Sequence, residues 1–167
     1  MSELEVWLRG PLPEYIEELQ PVAHSLLQVR EEIGRAAALP AECVWARPGG
    51  AASIGFHLKH IAGSLDRLLT YAAGKALSAA QRDVLANEER ESGESAHVLV
   101  SQAQAAIDRA LTHVRTTPLC TLDEAREVGR ARLPSTVLGL LFHAAEHAQR
   151  HSAQIITTAK IIATSRE

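Results

Sequence analysis

The stretch VLGLLFHAAEHAQRHSAQIITTAKIIA, residues 137–163, decides the fold. At roughly 100° per residue with Leu141 at zero, Val137, Ala145, Ala148, Ile155, Ile156 and Ala159 fall within about 60° of Leu141. That is the period of a helix and not the alternation of a strand. A long helix with one buried stripe is predicted, beginning near Ser135 and running past Ile162.

Three further segments share this period. Between Glu14 and Ala37 the apolar positions Ile16, Leu19, Ala23, Leu26 and Ile33 recur at three- and four-residue steps, with Arg30 as a polar intruder. Pro21 lies inside that run and should kink the helix or mark its true start. Ser53 reads as an N-cap for a second helix to about Ala73, closed by Gly74, with Ile54, Leu58, Ile61, Leu65, Leu68, Leu69 and Ala72 as its buried stripe. The third long helix spans about Ser95 to Thr116 through Val100, Ala103, Ile107, Ala110, Leu111 and Val114, with Pro118 beyond its end.

Residues 77–92 read as a short helix leading into the polar turn NEERESGES. LPAECVWARPGGAAS, residues 39–53, carries two prolines and a glycine pair and reads as a loop. LCTLDEAREVGRARLPS, residues 119–135, has no clear period and reads as a connecting loop or a short helical piece. Strand signals are almost absent. The expectation is an all-α protein, a four-helix bundle with long connections and a short extra helix, in a single domain over 1–167. Bundles of this kind build metal and ligand sites from side chains on facing helices.

Composition narrows the function. A formal charge of −3 argues against a general nucleic-acid binder, and 4% aromatic residues leave little for a base-stacking surface. No apolar run approaches the roughly 20 residues needed to span a bilayer, and the acidic start MSELEVWLRG is unlike a secretory signal. No membrane or nucleic-acid partner is expected, and the cytoplasm is the default compartment. Cys43 and Cys120 stand far apart, so neither a disulfide framework nor a C-x-x-C site is expected.

Histidines carry the chemistry. His143, His147 and His151 form a ladder at four-residue steps along the last helix. On the wheel His151 lies roughly 80° from the stripe, His147 roughly 120° on the same side, and His143 roughly 160°, near the solvent pole. The pair His147/His151 can therefore reach a cleft, and His143 is the bystander. In the second helix His57 lies within roughly 60° of the stripe and His60 roughly 120° away, so periodicity leaves the choice between them open. Two imidazoles at i and i+4, joined by a third from a facing helix, make a facial set of three nitrogens. Such a set leaves coordination positions for water or substrate. The alternative is a row of solvated surface imidazoles.

The segment GFHLKHIAGSLDRLLTYAAG, followed after two helices by HAAEHAQRHSAQI, resembles the DinB/YfiT-like superfamily of four-helix-bundle metalloproteins. The resemblance runs over nearly the whole chain. It places the second-helix ligand on His60, because HIAG matches the family's segment better than HLKH does. It places the C-terminal pair on His147 and His151, because Gln154 stands where the glutamine of the family's H-x-x-x-H-R-G-Q motif does. Ser152 and Ala153 replace the motif's Arg-Gly, and Glu146 replaces an asparagine often found before its first histidine. These changes remove no ligand but alter the groups expected to orient them.

The resemblance implies a divalent ion, zinc or nickel most often. It also implies thiol chemistry, either S-transfer or a thiol-dependent isomerisation with a low-molecular-weight thiol such as bacillithiol, mycothiol or glutathione. His57 or Glu146 would then supply an acid or base. Arg150, Arg130 or Arg132 could hold a cofactor carboxylate, and Trp45 could flank a ligand beside Gly49-Gly50. The competing expectation is a metal- or ligand-binding stress protein without turnover, acting as a homodimer.

Overall fold

Serines start three of the helices, because a hydroxyl can accept from a backbone N–H that the first turn leaves unpaired. Ser53 Oγ accepts from Phe56 N at 3.1 Å, Ser95 Oγ accepts from Val98 N at 3.4 Å, and Ser78 and Gln81 form a reciprocal capping box. In the computed structural model, which describes residues 4–164, the helices are α1 (Gln20–Gly34), α2 (Ala41–Val44), α3 (Ile54–Ala72), α4 (Ala79–Ala86), α5 (Ala96–Thr116) and α6 (Val137–Thr164). Between α5 and α6 lies a two-stranded antiparallel sheet, β1 (Ala125–Val128) and β2 (Leu133–Thr136). Among the described residues no helix is long and apolar enough to cross a membrane.

The four long helices share one core. Helix α1 packs against α5 and α6, and α3 packs against the same two, with the most extensive interface between α3 and α6. Leu26 and Ile33 of α1, Leu58, Ile61 and Leu65 of α3, Ile107 of α5, and Leu141 and Ile155 of α6 are almost wholly inaccessible. Each such side chain contributes about 1.5–3 kcal/mol through burial. On α6 the buried face also carries Ala144, Ala145, Ala148 and Ser152, whose short side chains let this helix approach its neighbours closely.

The sequence reading is corrected at three places. The first helix does not extend over 14–37: Pro21 marks its true start, one of the two expected outcomes, occupying the first turn of α1 where its missing N–H costs nothing, and one-turn 3-10 helices flank α1 at Glu17–Leu19 and Arg35–Ala38. The expected loop at 39–53 contains the single turn α2, which buries Cys43 and Val44. Residues 119–135, read as loop or helix, supply most of a hairpin.

That hairpin exists for tertiary reasons. Its strands are four residues long and Pro134 sits within β2, both features that hide a strand from sequence. Its value lies at the helix ends. Arg126 Nε donates to the Ala72 carbonyl at the C-terminus of α3 (2.7 Å), and the first N–H groups of α6, at Val137 and Leu138, donate to the carbonyls of Glu124 and Leu122.

Gly55 marks a tight packing point. A Cβ there would lie 2.7 Å from the Trp45 ring, which rests on α3 with Lys59 Nζ 5.8 Å from a ring centroid. Replacing a glycine inside a helix by alanine ordinarily stabilises by about 1 kcal/mol, less in the first turn, where Gly55 sits. Here Gly55→Ala is expected to destabilise by about 1–3 kcal/mol through overpacking and to increase exposure of Trp45. Urea unfolding followed by tryptophan fluorescence checks this; a gain in stability contradicts it.

Candidate metal centre

Helices α3 and α6 bring four imidazoles together. His57 and His60 lie one turn apart on α3; His147 and His151 lie one turn apart on α6. His60, His147 and His151 each offer a ligand nitrogen, and those atoms all lie within 4.8 Å of one another. His60 Nε2 and His147 Nε2 face each other at 2.9 Å. The His60 and His151 rings are 4.5 Å apart between centroids, and the His147 and His151 rings 4.6 Å.

In each of the three rings Nδ1 is already engaged outside this trio. His60 Nδ1 contacts Glu88 Oε2 at 2.7 Å, His151 Nδ1 contacts His57 Nδ1 at 2.8 Å, and the Arg150 guanidinium donates to His147 Nδ1 at 3.2 Å. Nε2 is then the nitrogen each ring has left to offer a metal, with His60 and His147 presenting theirs to each other. Two nitrogens on one zinc at about 2.0–2.1 Å stand about 3–3.4 Å apart, so the observed 2.9 Å needs little adjustment. The donor set and its spacing fit a divalent ion.

Protonation favours binding. Burial, followed by the charge of His60, lowers the pKa of His57 to about 4. Burial also leads at His147, lowered to about 4 with help from His60, His143 and Arg150, and at His151, lowered to about 3. These rings are neutral at physiological pH, the form in which imidazole binds metal. Phe56 walls the group, with centroids 5.3 Å from His57, 5.3 Å from His60 and 6.3 Å from His151.

Sequence reasoning missed two residues. Glu88, in the α4–α5 connection, is only 3% exposed; it accepts from Arg67 Nη1 at 2.5 Å as well as meeting His60. Burial alone would raise its pKa, but hydrogen bonds to His60 and Arg67 and the Arg67 charge more than offset this and hold it lowered. The available signal was Arg67, seven residues after His60 and so on the same flank of α3. Gly63 stands between them, where a Cβ would collide with the Glu88 carboxylate and the Arg67 guanidinium. Glu88 itself sits in a run of charges and gave no signal.

The other candidates are placed as follows. His57 is buried and touches His151. Glu146 is engaged along the outer face of α6 with His143 at 2.7 Å and Arg150 at 2.9 Å. His143 is exposed. Trp45 packs against the core and also lines a cavity of about 50 Å³ with Arg47, Ser53, Phe56, Glu89 and Glu91. Arg130 and Arg132 lie in the exposed turn of the hairpin, Arg132 paired with Glu127. Cys43 is buried and Cys120 exposed, both as free thiols.

Fold and site thus define a mainly helical protein with a three-histidine cluster able to hold a metal. The model of the DinB superfamily matches residues 18–155, which include α1, α3, α5 and all four clustered histidines. The chain belongs to the DinB superfamily. No curated protein matches it.

Depressed histidine pKa values make stability depend on pH. Below about pH 6.5 the unfolded chain binds protons at His57, His147 and His151 that the folded protein refuses until pH falls to about 4 or 3. Stability of the metal-free protein is therefore expected to fall as pH drops from about 6.5 towards 4. Thermal unfolding across that window checks the sign, and His151→Gln should flatten the slope. A Tm independent of pH in that range contradicts the assignment.

Proposed function

We propose that the protein is a DinB-like metalloprotein of four-helix-bundle architecture in which His60, His147 and His151 hold a divalent zinc or nickel ion and support thiol S-transfer. The observation that carries the reading is the convergence of one nitrogen from each of three imidazoles, all within 4.8 Å of one another, from two packed helices. Three ligands leave coordination positions open, the pattern of catalytic rather than closed structural sites. The bound ion would supply Lewis acidity that keeps a small thiol as its thiolate at neutral pH.

The residues divide the remaining work. His60, His147 and His151 bind and take no proton. His57 holds the His151 ring in place through Nδ1. Phe56 shields the imidazoles on one side, and Arg150, with its side chain 62% exposed, can reach an anionic group on a thiol cofactor. In the proposed reaction a C–S bond forms as a halide leaves carbon, and the thiol proton passes to solvent or to a side chain such as Glu146.

His60→Ala, His147→Ala and His151→Ala are each expected to lose most bound metal, whereas His143→Ala keeps it. Elemental analysis of the purified variants checks this; equal retention in all four sinks the site. The native protein loaded with zinc or nickel should accelerate conjugation of a low-molecular-weight thiol to monobromobimane or a chlorinated aromatic, and chelation should abolish the effect. Failure with bacillithiol, mycothiol and glutathione alike would remove the transferase reading.

A second reading is a cytoplasmic homodimer that binds metal or ligand without turnover; the lack of turnover is favoured by the small cavity that Phe56 lines beside the cluster. Its volume of about 50 Å³ compares with roughly 300–1,000 Å³ for small-molecule sites. Metal retention without thiol conjugation, in a protein that sediments as a dimer, is the outcome it expects.

A further inference from the structure

Glu88 and Arg67 do more than fill space beside the cluster. Both are buried, at 3% and 8% exposure, where water cannot stand in for a missing partner. The segment bearing Glu88 is fixed from the other side as well, since Lys59 Nζ donates to the carbonyls of Asn87 (2.9 Å) and Arg90 (2.7 Å). Gly63 supplies the room, because any Cβ on α3 at that point would displace the carboxylate. The carboxylate is thus held with Oε1 on Arg67 and Oε2 on His60.

We infer that Glu88, oriented by Arg67, sets the tautomer of His60 and so makes its Nε2 the nitrogen available to a metal. The inference rests on the three-histidine reading above and adds the positioning residues that reading lacks. A guanidinium can only donate, so one Glu88 oxygen always accepts from Arg67. The other oxygen is also only an acceptor and therefore demands a proton on His60 Nδ1. The lone pair of the neutral ring is then on Nε2, the atom facing His147 at 2.9 Å. A carboxylate behind a ligating imidazole also raises the basicity of the ligand.

The same logic makes an amide at this position disruptive in a specific way. In Glu88→Gln the single amide oxygen must face Arg67, which leaves the NH₂ group facing His60. His60 Nδ1 then has to accept, and the ring proton moves to Nε2, into the metal site. In Arg67→Met/Glu88→Gln no guanidinium claims the oxygen, so the amide can turn and accept from Nδ1–H again.

The test is ¹⁵N NMR of histidine-labelled, metal-free protein, with His60 assigned from its loss in His60→Asn, alongside zinc-binding calorimetry. The wild type should show His60 protonated at Nδ1. Glu88→Gln should show it protonated at Nε2, with zinc affinity weakened about 10–100-fold, and the double variant should recover both. A wild-type His60 carrying its proton on Nε2 overturns the inference, even if Glu88→Gln fails to fold. So does a folded Glu88→Gln that keeps the Nδ1 proton and full affinity, or a double variant that keeps the Nε2 proton. If the wild type binds neither zinc nor nickel, the metal reading fails separately, and the tautomers still decide this inference.

Discussion

Four imidazoles gathered between α3 and α6 place a condition on everything around them: His57 is buried and the other three are partly so, and the more of a ring that is withdrawn from water, the more of its hydrogen bonding the protein must supply. The rings meet that condition partly with one another, through the His60–His147 and His57–His151 contacts, and partly with Glu88 and Arg150. The interface they occupy is also the most extensive in the fold. The apolar residues beside them, Leu58, Ile61, Leu141 and Ile155, hold the two helices together while the polar groups sit at the edge of the same stripe. Stability and the site therefore draw on one surface, and a change that shifts α3 against α6 alters both.

The metal-free arrangement has a definite sense. If His60 carries its proton on Nδ1 towards Glu88, its Nε2 accepts, and His147 must donate from its own Nε2. His147 Nδ1 is then an acceptor, and that is the atom Arg150 approaches with a donor at 3.2 Å. Every contact in the line from Glu88 to Arg150 is satisfied by a single direction of hydrogen bonding. A metal that takes the His147 Nε2 lone pair must move that ring's proton to Nδ1, opposite a guanidinium that only donates. Arg150 is mostly exposed and can swing away, whereas Glu88 is buried and cannot. The site is fixed at its α3 end and adaptable at its outer α6 end.

Much of this was legible in the sequence. The 3.6-residue period gave the four long helices, and the serines at 53 and 95 marked where two of them start. The wheel separated His147 and His151 from His143, which the structure leaves exposed. It could not rank His57 against His60, and the reason is now physical: both face α6, His57 from within the stripe and His60 from its flank, so both enter the cluster. What stayed hidden depended on distant pairing. Glu88 comes from a turn whose path is set by Lys59, Gly63 and Arg67. The hairpin follows from unpaired groups at the ends of α3 and α6, which no local pattern reports.

The departures from the family motif gain a different meaning from these contacts. Ser152 and Ala153, where the motif has Arg-Gly, were expected to disturb the groups that orient the ligands. Ser152 is instead fully buried on the side of α6 facing α1, where its hydroxyl donates to Glu32 Oε2 at 2.6 Å. Glu32 in turn accepts from Gln28, whose own carbonyl oxygen accepts from the backbone N–H of Val6. Ala153 is exposed. Neither residue supplies any of the contacts to the Nδ1 atoms, which come from Glu88, His57 and Arg150. Position 152 in this chain ties α6 to α1, and the task of orienting the imidazoles has fallen to α3, its connection to α5, and the outer face of α6. A motif read one residue at a time locates candidate ligands; the groups that orient them belong to whichever elements the fold packs behind each ring.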